Sequence, residues 1–337
     1  MSELRKFFVV GTGRSGTTLL QAMLMSSPGV YIPPETQYMG MIWRYRARYG
    51  DLQHDENWRL AITRIERMTE HREMNLDLDR FAEALENCER SHASLFGVWL
   101  DEIAMSEGVT CIGEKSPVHA QYVTELLSMF PEASIVHIVR DPRDVVTSQK
   151  ELWFRNALHV AVGWRQDAEA AIRFGQLLDS ERYSVIRYED LVTDPESVLR
   201  PLCDRLQIVF DDRMLTPHTR EKKGLSKGME HVRRTLEPVT AKRIGRWTTK
   251  LSKVDVAVVE LMCQRSMKQF GYEPSGASRA LGVLGVCYQA PVGIVRRAFM
   301  RRRRKKIEFE LRGGRDTNNP SPPVVCTVGT STPDQDS

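Results

Sequence analysis

The sequence lacks the features that mark secreted, membrane-spanning and metal-binding proteins. Its six cysteines include no C-x-x-C pair, so neither a zinc site nor a redox motif is indicated. No apolar segment precedes the first predicted strand, and no uninterrupted apolar run reaches about 18 residues, so neither a signal peptide nor a membrane span is expected. We therefore expect a cytoplasmic protein with free thiols.

Positive charge is scarce outside one short segment. The formal net charge is +4, yet eight basic and no acidic residues lie between Arg296 and Lys306. Proteins that bind nucleic acids spread basic residues over one face of the fold, so no nucleic-acid partner is expected. The basic run follows a moderately apolar stretch. Together they indicate either peripheral membrane contact through an interfacial helix or a solvated helix and tail.

Short apolar segments alternate with helical patterns along most of the chain. Apolar runs bounded by glycine or proline predict the strands FFVV, VTCIG, SIVHIVR and YSVIRYEDL. Helical patterns follow them, the last two capped by Asp141 and Asp194 before prolines. This alternation predicts an α/β fold with a doubly wound, mostly parallel sheet flanked by helices.

Three regions are predicted along the chain. Residues 1–275 form the main domain, in which residues 39–100 are a polar, helical insertion. Such an insertion often shapes a substrate site, and a helical lid or packing layer is the alternative. Residues 276–312 form the basic helical segment. Residues 313–337 have low hydrophobicity and much Pro, Ser and Thr, so we expect disorder there.

The segment FFVVGTGRSGTTLL contains a glycine-rich loop between a predicted strand and a predicted helix. Gly11 and Gly16 have the spacing of a P-loop, whose backbone amides and following helix N-terminus favour an anion. Thr17 stands where an ATP-binding loop has a lysine that contacts the β- and γ-phosphates. The loop is therefore poorly suited to bind a nucleoside triphosphate with Mg²⁺. Arg14 can instead donate to two anionic oxygens.

The loop sequence GRSGTTLL resembles the 5′-phosphosulfate loop of sulfotransferases that use 3′-phosphoadenosine 5′-phosphosulfate (PAPS). A second segment, IVHIVRDPRDVVTSQ, resembles the 3′-phosphate motif of the same family, with Arg140 and Ser148 at its two positions. The resemblance spans residues 7–272 and implies the P-loop-like sulfotransferase fold with PAPS as co-substrate. It assigns PAPS binding to six loop residues: Gly13, Arg14, Ser15, Gly16, Thr17 and Thr18.

Two later segments agree with this resemblance. VIRYEDL is similar to the family segment whose tyrosine, here Tyr188, lies against the nucleotide base, although a core tyrosine is the alternative. IGRWTTKLS is similar to the segment that covers the nucleotide, which places Arg246 at the co-substrate. Trp247 is either next to the co-substrate or a core tryptophan.

Sulfuryl transfer needs cations for the charge that develops on the sulfuryl and bridging oxygens. Arg14 is placed for the bridging oxygen. Lys115, in IGEKSP, matches a lysine that family members use near the sulfuryl group; a solvated surface lysine is the alternative. Because these residues and backbone amides supply positive charge, and no His/Cys cluster is present, no metal is expected.

The reaction also needs a base for the acceptor hydroxyl. Glu35 follows Arg14 at the separation found in tyrosylprotein sulfotransferases, where the matching glutamate is the base. Their arginine two residues later is Gln37 here, which weakens a prediction of peptide tyrosine as acceptor. The alternatives are a helix-capping role for Glu35, with Glu114 or His119 as base. We expect Glu114 to point away from the site and His119 to lie at the surface.

The sequence thus favours a PAPS-dependent sulfotransferase that acts on a hydroxyl-bearing acceptor. A P-loop NTPase or small-molecule kinase without the Walker lysine is the alternative, and a PAPS-binding scaffold without transfer is a third. A carbohydrate, a lipid headgroup, a small alcohol or phenol, and a protein tyrosine all stay open as acceptors.

Overall fold

The computed structural model describes residues 4–179, 182–219 and 237–291 of the chain. The chain divides into two units, Met1–Gln289 and Ala290–Ser337. All contacts described below belong to the first unit. The prediction for residues 313–337, and most of that for residues 276–312, lies outside the described residues.

A five-stranded parallel sheet lies at the centre of the first unit, in the order β2-β3-β1-β4-β5. The strands are β1 (Arg5–Val10), β2 (Val30–Tyr31), β3 (Cys111–Lys115), β4 (Ser134–Val139) and β5 (Tyr183–Arg187). This sheet confirms the predicted α/β class. The strand β2 is absent from the prediction because two residues carry no measurable periodicity.

Strand β1 is buried on both faces and forms the middle of the sheet. Its residues 7–10 are at most 2% exposed, as parallel strands covered by helices require. Val9 lies opposite Lys115 of β3 on one side and Val136 of β4 on the other. The carboxyl ends of these three strands therefore meet at one edge, at the switch point where doubly wound sheets bind ligands.

Twelve labelled α-helices surround the sheet within the described residues, and residues 39–100 contain helices and no strand. No helix in this part of the chain combines the length and apolarity needed to span a membrane. The helices are α1 (Thr17–Leu24), α2 (Tyr38–Met41), α3 (Asp55–His71), α4 (Leu78–Glu86), α5 (His92–Glu107), α6 (Val123–Met129), α7 (Pro142–Trp153), α8 (Ala157–Leu177), α9 (Tyr188–Thr193), α10 (Pro195–Leu206), α11 (Trp247–Lys250) and α12 (Lys253–Gln269).

Two apolar cores hold these helices. The larger core contains β1 together with α1, α5 and α10, and the second joins α7, α8 and α12 through side chains such as Val145, Trp164 and Val258. Residues 279–289 are also helical and lie against α12. A Cβ atom added at Gly282 would lie 2.7 Å from the carbonyl oxygen of Ala257, so the small residue permits this close approach.

The structure corrects two element predictions and confirms two caps. The predicted strand YSVIRYEDL ends at Arg187, and residues Tyr188–Thr193 form α9, since acidic residues in a first turn favour a helix start. The helical pattern that follows the predicted strand VTCIG begins with a 3₁₀ segment, Pro117–Tyr122. Asp141 and Asp194 accept backbone N–H groups at the starts of α7 and α10, as predicted.

Candidate active site

The glycine-rich loop occupies residues 11–16 between β1 and α1. Gly16 has a φ of 100°, and a Cβ atom added there would lie 2.5 Å from Cδ2 of Tyr188, so only glycine fits. Arg14 has a φ of 81°. A left-handed residue inside such a loop is typical of backbone concavities that bind anions.

Two buried polar atoms beside this loop fit a phosphate ligand. Oγ of Ser15 and Nε of Arg140 are buried and have no hydrogen-bond partner among the described residues. Because nearly all buried polar groups are hydrogen-bonded, phosphate oxygens are suitable partners for both. Thr17 and Thr18 begin α1, where free amides of the first turn favour the same anion. The residues present therefore fit the phosphates of a nucleotide.

The two predicted phosphate motifs lie in direct contact. Nε of Arg14 donates to Oγ of Ser148 at 3.1 Å, and Nη1 of Arg140 donates to the backbone oxygen of Arg14 at 3.2 Å. The side chain of Gln149 donates to the Gly13 oxygen at 2.8 Å and ties α7 to the loop. The fold thus brings residues 126 and 134 positions apart along the chain to one place.

The Arg140 guanidinium is held from several sides. It lies 4.2 Å from the ring centroid of Tyr188, and Nη2 donates to the backbone oxygen of Arg243 at 2.7 Å. The Tyr188 ring is 5% exposed and packs between Arg140 and Gly16. Cation–π contact and burial fix the direction of the guanidinium. Tyr188 therefore lies between the glycine-rich loop and Arg140 of the second phosphate motif.

Glu35 and Lys115 form an ion pair at the same sheet edge. Nζ of Lys115 lies 2.6 Å from Oε1 of Glu35, and the Gln37 side chain donates to Oε2 at 2.5 Å. The Lys115 side chain is 4% exposed and that of Glu35 is 26% exposed. Lys115 is thus a buried partner of Glu35 rather than a solvated lysine. The carboxylate keeps access to solvent, which a base that meets an acceptor requires.

The other two base candidates lie inside the protein. His119, predicted at the surface, is 0% exposed, and its Nδ1 lies 2.7 Å from Oε2 of Glu114, which is also 0% exposed. The surface prediction for His119 is wrong because the 3₁₀ segment turns the ring under α2. Burial raises the pKa of Glu114, but the charge and hydrogen bond of His119, with those of neighbouring hydroxyls, bring it below its usual value.

Comparison with known proteins fits this geometry. A model of the sulfotransferase family matches residues 6–212. The chain belongs to the sulfotransferase family of enzymes. It is 26% identical over 294 residues to protein-tyrosine sulfotransferase 1 of Danio rerio, which covers 81% of this chain and 73% of that protein. An uncharacterized Aquifex aeolicus protein is 24% identical over 278 residues, and the chain spans about a third of its length (32%).

Solved structures agree on the fold of this sulfotransferase. The sulfotransferase domain of the Synechococcus PCC 7002 olefin synthase superposes with a TM-score of 0.60 and 22% identity. The match covers 81% of this chain and 97% of that domain. The predicted P-loop-like sulfotransferase fold is therefore confirmed.

The segment predicted to cover the nucleotide is anchored on α7. Asp144 accepts hydrogen bonds from the amides of Gly245 at 2.7 Å and Trp247 at 3.0 Å. Nη2 of Arg246 lies 2.7 Å from the carboxylate of Glu151. The segment therefore lies beside Arg140, while the Arg246 side chain turns towards Glu151. Burial raises the pKa of Asp144, and Arg140 and the two amides oppose that shift.

One buried acid of this sulfotransferase has no counterpart in the sequence prediction. Asp167 of α8 accepts from Oγ1 of Thr12, in the glycine-rich loop, at 2.8 Å and from the Gln121 side chain at 3.3 Å. Burial raises its pKa to about 6, against the effect of these two hydrogen bonds. Asp167 lies on the apolar face of α8 between Trp164 and Ala171, and an acid on such a face is the signal that could have revealed it.

Proposed function

We propose that this sulfotransferase moves the sulfuryl group of PAPS to a hydroxyl acceptor, with Glu35 as the general base. The observation that carries the proposal is the Glu35–Lys115 pair, 2.6 Å apart, at the sheet edge where the two phosphate motifs meet. A base and a cation beside a phosphate cradle are what sulfuryl transfer requires. The contact between Arg14 and Ser148 supports a single nucleotide that reaches both motifs.

Nucleotide binding is proposed to use the two motifs at opposite ends of PAPS. The loop amides, with Ser15, Thr17 and Thr18, hold the 5′-phosphosulfate, and Arg140 with Ser148 holds the 3′-phosphate. Tyr188 and the segment that contains Arg246 border the nucleotide. The unpartnered atoms of Ser15 and Arg140 support this assignment.

The chemistry is an in-line displacement at sulfur. PAPS supplies an activated sulfuryl group, whose bond to the bridging phosphate oxygen breaks as a bond to the acceptor oxygen forms. Glu35 takes the acceptor proton and later releases it to solvent. Arg14 and Lys115 stabilise negative charge on the bridging and sulfuryl oxygens, so these side chains provide the positive charge that a metal ion would otherwise supply.

We propose a carbohydrate, a lipid or a small alcohol or phenol as the acceptor. The Danio rerio relative is named for protein tyrosine. In this chain, however, Gln37 stands where tyrosylprotein sulfotransferases have an arginine, and its amide is bonded to Glu35. A neutral side chain engaged with the base supports an acceptor other than an acidic peptide.

The test is transfer from ³⁵S-labelled PAPS to a panel that contains a phenol, a primary alcohol, a monosaccharide and a tyrosine peptide. We expect labelled product with at least one of the first three. Exclusive labelling of the peptide would contradict the proposed acceptor class, and no labelling from PAPS in the panel or in a metabolite extract would contradict the proposed activity.

A thermal-shift measurement separates the proposed enzyme from an NTPase or kinase. A ligand that binds only the folded state raises the melting temperature according to its affinity. We expect a large shift with adenosine 3′,5′-bisphosphate and little or none with ATP and Mg²⁺. The reverse order would favour the NTPase or kinase.

We further propose that the enzyme is cytoplasmic and contacts membranes peripherally through its C-terminal basic segment. Val283, Leu284 and Tyr288 are exposed apolar side chains within the helical residues 279–289, ahead of the eight basic residues in the sequence. We expect the full chain to sediment with phosphatidylserine vesicles but not with neutral ones, and a variant with residues 301–306 changed to Gln to stay in solution. Equal behaviour of the two proteins would contradict membrane contact.

A further inference from the structure

The carboxylate of Glu114 organises the loop that carries Glu35. We propose that Glu114 is a positioning residue, which holds the general base through a set of hydrogen bonds rather than acting on the acceptor itself. We call this set the Glu114 clamp and define it as Glu114, Thr36, Gln37, Ser116 and His119. The inference rests on the proposed role of Glu35 as base.

Three hydrogen bonds hold one oxygen of the Glu114 carboxylate, and the His119 ring lies in ion-pair contact with the other. Oε1 accepts from the Thr36 amide at 3.1 Å, from Oγ1 of Thr36 at 2.7 Å and from Oγ of Ser116 at 2.5 Å. Oε2 lies 2.7 Å from Nδ1 of His119. Because a buried carboxylate with several hydrogen-bond donors can satisfy them in only one orientation, these contacts fix the Glu114 side chain in place.

Two further hydrogen bonds join clamp side chains to the backbone after Glu35. Oγ of Ser116 accepts the Gln37 amide at 2.9 Å, and Nε2 of His119 accepts the Met39 amide at 3.2 Å. The ring of His119 therefore connects the Met39 amide, at Nε2, with the Glu114 carboxylate, at Nδ1. Side chains at the end of β3 and just after it thus hold the amides of Thr36 and Gln37, which follow Glu35, and the amide of Met39 in α2.

The clamp sets the position of the base through Gln37. Gln37 has a φ of 56°, a conformation that residues other than glycine rarely adopt. In this conformation its amide bonds Ser116 while its side chain turns back to Oε2 of Glu35. Lys115 holds Oε1. Both oxygens of the base are therefore fixed, one by the loop and one by β3.

Glu114 itself is badly placed to take the acceptor proton. It is 0% exposed, and its two oxygens are occupied by the clamp. Lys115, the next residue of the strand, meets Glu35, and neighbouring strand residues point to opposite faces. The structure thus separates the roles of the two carboxylates: Glu35 has solvent access, and Glu114 has the fixed surroundings of a support.

The experiment compares Glu114→Gln, Glu35→Gln and the double variant. For Glu114→Gln we expect the amides of Thr36, Gln37 and Met39 to exchange hydrogen at least about tenfold faster, with the glycine-rich loop unchanged. Turnover with the best acceptor of the panel should fall about tenfold or more, while affinity for adenosine 3′,5′-bisphosphate stays within about threefold. In the Glu35→Gln background the second substitution should cause no further loss.

Two variants serve as controls. Glu102→Gln changes another buried carboxylate, paired with Arg80 at 3.3 Å, and should leave turnover and loop exchange unchanged. Ser116→Ala removes only the hydroxyl between Glu114 and Gln37, so it should fold normally and give the same pattern as Glu114→Gln with a smaller amplitude.

The outcomes distinguish this inference from the proposed function. Normal turnover and exchange in Glu114→Gln, with impaired Glu35→Gln, would overturn the positioning role and leave Glu35 as base. An active Glu35→Gln with an inactive Glu114→Gln would overturn the proposed base instead. Loss of nucleotide affinity in parallel with turnover, or equal losses in both backgrounds, would show a general structural defect and contradict the clamp. Amide hydrogen exchange can be measured without an acceptor substrate, so it tests the Glu114 clamp even if no acceptor is found.

Discussion

The side chains of Glu35 and Lys115 come from different parts of the chain and meet at 2.6 Å. At the residue scale this contact joins the proposed base to a cation beside the proposed nucleotide site. A carboxylate that accepts from both Lys115 and Gln37 is oriented before the acceptor arrives. Preorganised groups of this kind lower the barrier because they need little rearrangement during the reaction.

The first prediction concerns the base. Glu35→Gln keeps the shape of the side chain but removes its ability to accept a proton, so turnover should fall about a hundredfold or more. Affinity for adenosine 3′,5′-bisphosphate, measured by calorimetry, should stay within about threefold. Turnover within a few-fold of that of the unchanged enzyme would remove Glu35 from this role.

The second prediction concerns Asp167, whose pKa is raised to about 6 by burial. In the unfolded chain the carboxyl titrates near 4, so its contribution to folding is present at low pH and is lost as pH rises from about 4 to about 6. In the variant Asp167→Asn, the side chain at position 167 is neutral at every pH in this range. Over this window the stability of Asp167→Asn relative to the unchanged enzyme should therefore rise by about 2 kcal/mol and then level off.

Urea unfolding at pH values from 4.5 to 7.5 measures this difference. Gln121 can turn its amide to suit Asn, so the contact with residue 167 survives the substitution. A stability difference that does not change with pH would show that Asp167 titrates as it does in the unfolded chain.

Single residues differed in how well the sequence revealed them. Arg14, Arg140 and Ser148 lie in motifs with fixed spacing, and the structure brings these three together as the motifs imply. His119 and Asp167 carry no such motif, because their burial depends on which distant segment covers them. Tertiary packing of this kind is not encoded in local spacing, so the surface prediction for His119 was wrong.

At the scale of elements, the strongly apolar strands were predictable and the boundaries were less so. Strand β4 is almost wholly buried and rich in β-branched residues, and it was located within one residue. The segment after Arg187 has the β-favouring Tyr188 but forms α9, since Glu189 and Asp190 suit a first helical turn. Local propensity competes there with the N-terminal preference of a helix, and sequence patterns resolve such boundaries poorly.

The third prediction concerns α7 and the covering segment. Asp144→Ala removes the acceptor of the Gly245 and Trp247 amides. Both amides should exchange hydrogen about tenfold faster, because each loses a bond to a charged acceptor. The amide of Ser275, which bonds Glu260 at 2.8 Å, is the internal control and should not change. Unchanged exchange at Gly245 and Trp247 would mean that other contacts hold the segment.

At the scale of the whole molecule, the order of strands places the site. β1 lies between β3 and β4, so the glycine-rich loop after β1, Lys115 at the end of β3 and Arg140 after β4 lie at one edge of the sheet. The alternation of strands and helices predicted a parallel sheet, but the strand order depends on crossovers that no local pattern specifies. The resemblance of the two phosphate motifs to a known family indicated the fold, and with it the strand order, which hydrophobic periodicity does not specify.

One nucleotide is proposed to bridge the glycine-rich loop and the Arg140–Ser148 pair. Calorimetry with adenosine 3′,5′-bisphosphate and with adenosine 5′-monophosphate tests it directly, on the unchanged enzyme and on Arg140→Ala. The bisphosphate should bind roughly a hundredfold more tightly, since its 3′-phosphate gains charge-assisted hydrogen bonds. Arg140→Ala should remove most of this advantage and leave monophosphate affinity nearly unchanged. Equal affinities for the two nucleotides in the unchanged enzyme would contradict the claim.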